Sequence, residues 1–193
     1  MALTKVIPAI PYNVRATGIT FQSVKLKWSP AENATSYEIY QRKGSASASA
    51  KLVGKTKKST YHLTVSNLVM GKTYYFQVKA VTKDGTSDFS AAVSVVPTLK
   101  APKSFKAEST SVGKVKLTWK KVTGASGYLI YRADKKDGTY RKVSTVEGEG
   151  KKKITLAADK GQTYYYKIAA YRIVKNKKVV GTLSDYKSVI VKK

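Results

Sequence analysis

The chain has 193 residues, no cysteine and one histidine, and 37 Lys+Arg stand against 11 Asp+Glu for a formal charge of +26. The missing thiols exclude disulfides, thiolate zinc sites and cysteine nucleophiles, while a hydrophobic content of 42% is enough for a packed core. No run approaches the ~18 consecutive apolar residues of a membrane-spanning helix, and the opening MALTKVIPAIPYN lacks the charged and apolar regions of a signal peptide.

Taken in chain order, alternation of apolar and polar residues places strands at about 11–17, 22–28, 37–43, 50–56, 59–66, 72–81 and 88–96. Val24, Leu26 and Trp28 alternate with Lys25 and Lys27. Tyr74, Phe76, Val78 and Ala80 alternate with Tyr75, Gln77 and Lys79. Turn-forming stretches such as SPAEN and KDGT separate these segments. A second set follows at about 102–109, 113–120, 127–133, 139–145, 151–156, 163–174 and 179–191.

The second set repeats the first. KLKW at 25–28 returns as KLTW at 116–119, and SYEIYQR around Tyr37 returns as GYLIYRA around Tyr128, both offset by 91. GKTYYFQVKAV from Gly71 returns as GQTYYYKIAAY from Gly161, offset by 90. SDFSAAV from Ser87 matches SDYKSVI from Ser184, offset by 97, so an insertion precedes the last strand. No segment has the period of an amphipathic helix. The expected fold is all-β: two tandem immunoglobulin-like, seven-stranded antiparallel sandwiches. The expected domains cover 8–97 and 102–193, with a proline-bounded linker at 98–101.

The residues resemble a pair of fibronectin type III domains. The opening proline, the core tryptophan and the Tyr-x-Ile-Tyr strand are Pro11, Trp28 and Tyr37–Tyr40 in one copy, and Pro102, Trp119 and Tyr128–Tyr131 in the other. The corner before the sixth strand runs from Leu68 through Gly71 to Tyr74. In the second copy it runs from Gly161 to Tyr164, with Ala158 in place of the leucine. The resemblance implies that Tyr74 and Tyr164 bond back to nearby backbone. Phe76, Val78, Tyr166 and Ile168 then line the cores, and Tyr75, Gln77, Lys79, Tyr165, Lys167 and Tyr171 face outward. The Lys- and Tyr-rich wording also resembles the type III repeats of secreted Gram-positive surface proteins. That resemblance implies an extracellular spacer or adhesive module beside other domains of a longer native chain.

Catalysis has little support. His62 faces outward from its strand with no second histidine or cysteine to share a metal, and the acids are scattered. Asp84 and Asp137 each precede a turn glycine, and Glu147-Gly148-Glu149 lacks the spacing of a calcium loop. The expectation is a monomeric, non-enzymatic chain with no metal and no cofactor.

Two binding surfaces are candidates. Residues 1–98 hold a net +9 and residues 99–193 a net +17, a field that attracts polyanions. Strand alternation turns Lys106, Lys114, Lys116, Lys151 and Lys153 outward, and the resemblance places their strands in one sheet. Lys175, Lys177 and Lys178 cluster in the last hairpin. Lysines suit phosphate rather than bidentate base reading, and the chain has five arginines, so an anionic wall polymer fits better than sequence-specific nucleic acid. Outward lysines also guard sheet edges. The second surface is a platform of Tyr40, Tyr75, Tyr131, Tyr165 and Tyr171 for carbohydrate or a protein partner. Cross-strand pairing explains the same residues without a ligand.

Overall fold

The computed structural model describes residues 5–193. The chain divides into two compact units, Met1–Pro97 and Thr98–Lys193. Among the described residues all regular structure is β.

In the first unit β1 (Arg15–Thr17), β2 (Val24–Lys27) and β5 (His62–Val65) form one sheet in the order β1-β2-β5. The facing sheet holds β4 (Lys51–Lys57), β3 (Ser36–Lys43), β6 (Tyr74–Thr82) and β7 (Gly85–Thr86), with β8 (Val93–Val95) also paired to β6. The alternation read from the sequence is the burial pattern: Val24, Leu26, Phe76 and Val78 are wholly buried between the sheets. Trp28 lies 5.7 Å from Tyr37, and the Tyr37 hydroxyl accepts from the Ala31 amide at 2.9 Å. Gly71 turns the corner at φ 77°, a conformation that costs an L side chain about 1–2 kcal/mol.

The second unit repeats this plan. Its smaller sheet is β9 (Lys106–Ser111), β10 (Lys114–Thr118) and β13 (Lys153–Ala157), with β10 central. The larger holds β12 (Arg141–Glu147), β11 (Gly127–Ala133), β14 (Thr163–Val174) and β15 (Lys177–Leu183), with β16 (Lys187–Ile190) paired to β14. Trp119 packs 5.2 Å from Tyr128, whose hydroxyl accepts from Val122 N and donates to Glu149 O. Leu99, in the segment expected to join the copies, is buried, and its carbonyl accepts from Thr182 N at 3.0 Å.

The last strand of each copy departs from expectation. It is broken in two, and the break is bridged by serine. Ser90 donates its amide to Val78 O while its hydroxyl accepts from Val78 N, both at 3.0 Å. Ser87 does the same with Ala80. These hydroxyls stand in for ladder carbonyls where the strand leaves the sheet. In the second unit Ser184 makes both bonds to Ile168. Ile168 is the counterpart of Val78, so Ser184 is the counterpart of Ser90 and not of Ser87. The last strands are therefore offset by 94, and the match of SDFSAAV to SDYKSVI is out of register by three residues. Pairing agrees, since Tyr75 opposes Ser94 and Tyr165 opposes Ser188.

Candidate functional site

The lysines expected on the smaller sheet of the second unit are set by the register of β10. Thr118 opposes Lys106 on one side and Lys153 on the other. Lys116 opposes Glu108 and Thr155, and Lys114 opposes Ser111 and Ala157. Directly opposed residues share a face, so Lys106, Lys114, Lys116 and Lys153 lie together on the outer surface. Lys151 is exposed in the turn that enters β13. The register also puts Glu108 in the middle of this face, a carboxylate that sequence reasoning missed. Alternation along 106–111 contains the signal, because Glu108 has the parity of Lys106.

The hairpin cluster is divided. Lys175 and Asn176 form a two-residue turn with φ of 48° and 61°, the left-handed pair of a type I′ hairpin. Lys177 opposes Val174 and Lys178 opposes Ile173, so the two side chains project from opposite faces of the ribbon. Lys178 Nζ sits 4.8 Å over the Tyr171 ring.

The tyrosine platform is partly corrected. Tyr171 is 2% exposed, not outward and open. It opposes Gly127 in register, and a Cβ at Gly127 would come within 2.7 Å of the Tyr171 hydroxyl. The absent side chain lets the ring lie across β11, and Lys178 covers it. Burial pushes the Tyr171 phenol up from its ordinary value. Tyr40, Tyr75, Tyr131 and Tyr165 remain half-buried on the outer faces.

Two of these tyrosines have aromatic neighbours that the sequence reading did not select. Tyr40 meets Phe89 edge-on at 5.1 Å, with Arg42 and Lys79 over the Phe89 ring at 4.9 and 4.4 Å. The Tyr40 hydroxyl donates to Glu38 at 2.7 Å. That bond raises the Tyr40 phenol, while Lys55 at 2.7 Å, followed by Tyr40, holds the Glu38 carboxyl below its usual range. Tyr165 meets Tyr186 at 5.6 Å, with Lys136 over Tyr186 at 5.8 Å and Lys167 over Tyr140 at 4.3 Å. Such contacts contribute roughly 0.5–1.5 kcal/mol each beyond area burial. Tyr40 and Tyr165 are thus engaged with the protein's own rings, and their neighbours Phe89 and Tyr186 with its cations.

The corner tyrosines separate. Tyr74 accepts from the Val69 backbone amide at 2.9 Å, as the resemblance implies. Tyr164 donates to the Asp159 carboxylate at 2.6 Å and also meets the Asp159 backbone amide. His62 is exposed, as expected from its strand parity. Among the described residues no three His, Asp or Glu side chains are close enough to hold a metal ion, and no helix is long and apolar enough to cross a membrane.

Residues 9–96 match the fibronectin type III domain family. Over 180 residues the chain is 29% identical to chitinase A1 of Niallia circulans, covering 83% of this chain and 23% of that protein. Over 105 residues it is 34% identical to a Lar-like tyrosine-protein phosphatase of Caenorhabditis elegans, covering 52% of this chain and 5% of the other. The chain therefore spans less than a quarter of the curated relatives it matches. A two-domain fibronectin type III segment of chicken tenascin superposes with a TM-score of 0.55 at 16% identity, over 95% of this chain and 99% of that one. That likeness concerns the fold alone. Residues 9–96 thus carry the match to the fibronectin type III domain, and the second unit repeats their sandwich.

Proposed function

We propose that the chain is a non-catalytic extracellular spacer and interaction module of a bacterial surface or secreted protein. The observation that carries this is the separate, complete core of each unit. Sites in such a fold are grafted on surfaces rather than inherent to it, and among the described residues the cores are lined by apolar and aromatic side chains. The 180-residue match to a bacterial chitinase, confined to 23% of its length, fits a module carried beside other domains. The full chain is expected to turn over neither chitin oligosaccharides nor purified Gram-positive wall polymer. Release of soluble sugar or phosphate above a heat-denatured control overturns the reading.

A second reading has its own observation, the outer face of β9, β10 and β13, where Lys106, Lys114, Lys116 and Lys153 gather around Thr118 and Glu108. This face suits an anionic wall polymer, with Lys151 at its margin. Sedimentation of the full chain with purified walls is expected to fall steeply with added salt, because bound counterions are released on contact. Substituting Gln for Lys106, Lys114, Lys116, Lys151 and Lys153 together weakens sedimentation and leaves the unfolding temperature within a few degrees. Sedimentation that is indifferent to salt, or to these substitutions, excludes the face as the site.

A further inference from the structure

The ends of β11 and β12 bring two guanidinium groups together. Arg132 opposes Arg141 directly in antiparallel register. Like charges in that position destabilise a strand pair. At the corresponding place in the first unit Gln41 opposes Lys51, so the doubled guanidinium belongs to the second unit alone.

Arg132 is held in place. Its guanidinium lies 4.4 Å over the Tyr164 ring, and Tyr164 is itself tied to Asp159. On its other side Arg132 opposes Tyr166 on β14. The Tyr166 side chain is wholly buried, and the Arg132 guanidinium is the polar group that meets its hydroxyl, opposing the rise that burial gives the phenol. Beside this arrangement lies a cleft of about 480 Å³, walled by Arg132, Arg141, Lys135 and Thr139, with Asp134 as its carboxylate. The loop that closes the cleft is ordered by a turn in which Gly138 N donates to Lys135 O at 3.1 Å.

Three cations and a hydroxyl thus converge on a concave space whose wall carries a single negative charge. Guanidinium groups present planar forks that match two oxygens of one oxyanion. A ligand of that kind removes the repulsion built into the register.

We propose that the cleft between β11 and β12 is an oxyanion site that takes a phosphoryl group between Arg132 and Arg141. The group is either a free phosphate or a phosphodiester of an anionic polymer. The site is separate from the lysine face on the smaller sheet.

The test is amide-resolved NMR of the full chain, titrated with inorganic phosphate and with poly(glycerol phosphate), and with chloride at matched ionic strength as the control. The amides of Ala133, Lys135, Gly138 and Thr139 are expected to shift and saturate. Saturation by both probes assigns the phosphoryl group whatever its carrier, and saturation by the polymer alone assigns the diester. Arg141 is exposed, so Arg141→Gln keeps the fold, visible as an unchanged spectrum elsewhere. It is expected to weaken saturation about ten-fold, the order for losing a charged hydrogen-bond partner. Lys106→Gln with Lys153→Gln is expected to leave these shifts unchanged even where it weakens wall sedimentation. Shifts that follow ionic strength without saturating, or that Arg141→Gln does not alter, overturn the proposal.

Discussion

The Tyr164 hydroxyl donates to the Asp159 carboxylate at 2.6 Å, whereas its counterpart Tyr74 accepts from the Val69 amide at 2.9 Å. Both hydroxyls meet a nearby backbone amide, and Tyr164 adds a carboxylate. Tyr74→Phe leaves a part-buried backbone donor without its acceptor, at a cost of about 1–3 kcal/mol. Tyr164→Phe frees the carboxylate and the backbone amide of Asp159, an exposed residue that water solvates, so the cost is smaller, about 1 kcal/mol. Asp159→Asn keeps an acceptor oxygen and costs less still. Urea unfolding of the full chain, followed at both transitions if two are seen, checks this order.

Gly127→Ala places a methyl against the Val146 carbonyl and within 2.8 Å of the Tyr171 ring. The carbonyl belongs to the β11–β12 ladder and cannot move without losing register. The expected loss is about 1–3 kcal/mol, as for overpacked cores. Tyr171→Ala in the same background relieves only the ring contact, so it does not restore stability. Thermal unfolding of the three variants measures this.

Lys175 holds a left-handed conformation at φ 48°. Lysine resists it, whereas asparagine and glycine accept it. Lys175→Asn is expected to stabilise the second unit by about 0.5–1 kcal/mol. No gain in a urea titration would show that the lysine makes a compensating contact.

Alkaline pH should unfold the chain. Burial raises the Tyr37, Tyr128 and Tyr166 phenols above the ordinary value of 10.0. Their folded pKa exceeds the unfolded one, so their contribution is whole below about pH 10 and is lost as pH rises through the folded values. Tyrosinate absorbance and far-UV circular dichroism are expected to change together. Glu38 has the opposite sign: Lys55 and Tyr40 lower its pKa, so its contribution is present above the ordinary carboxyl range and fades as pH falls through the folded value. Lys55 is 65% exposed, so Lys55→Met costs only about 0.2–1 kcal/mol.

Much of the fold was legible because strand parity is a local property. Val115, Leu117 and Trp119 needed only their own alternation to be placed inside, and the two copies of TYY needed only each other to be recognised. The outward lysines followed by the same logic, and so in principle did Glu108. Parity fails where a strand breaks or a neighbour lacks a side chain. The serine-bridged gap in the last strand hid a three-residue slip, because a hydroxyl can replace a ladder carbonyl without changing the local pattern. Tyr171 has outward parity and is nonetheless buried, because Gly127 is its partner across β11 and Lys178 covers it. The amino-acid sequence by itself determined two cored sandwiches and which residues point away from each core. Only the tertiary structure decided which strand ends meet. That meeting sets Arg132 against Arg141, since cross-strand register joins residues whose separation along the chain carries no periodic signal.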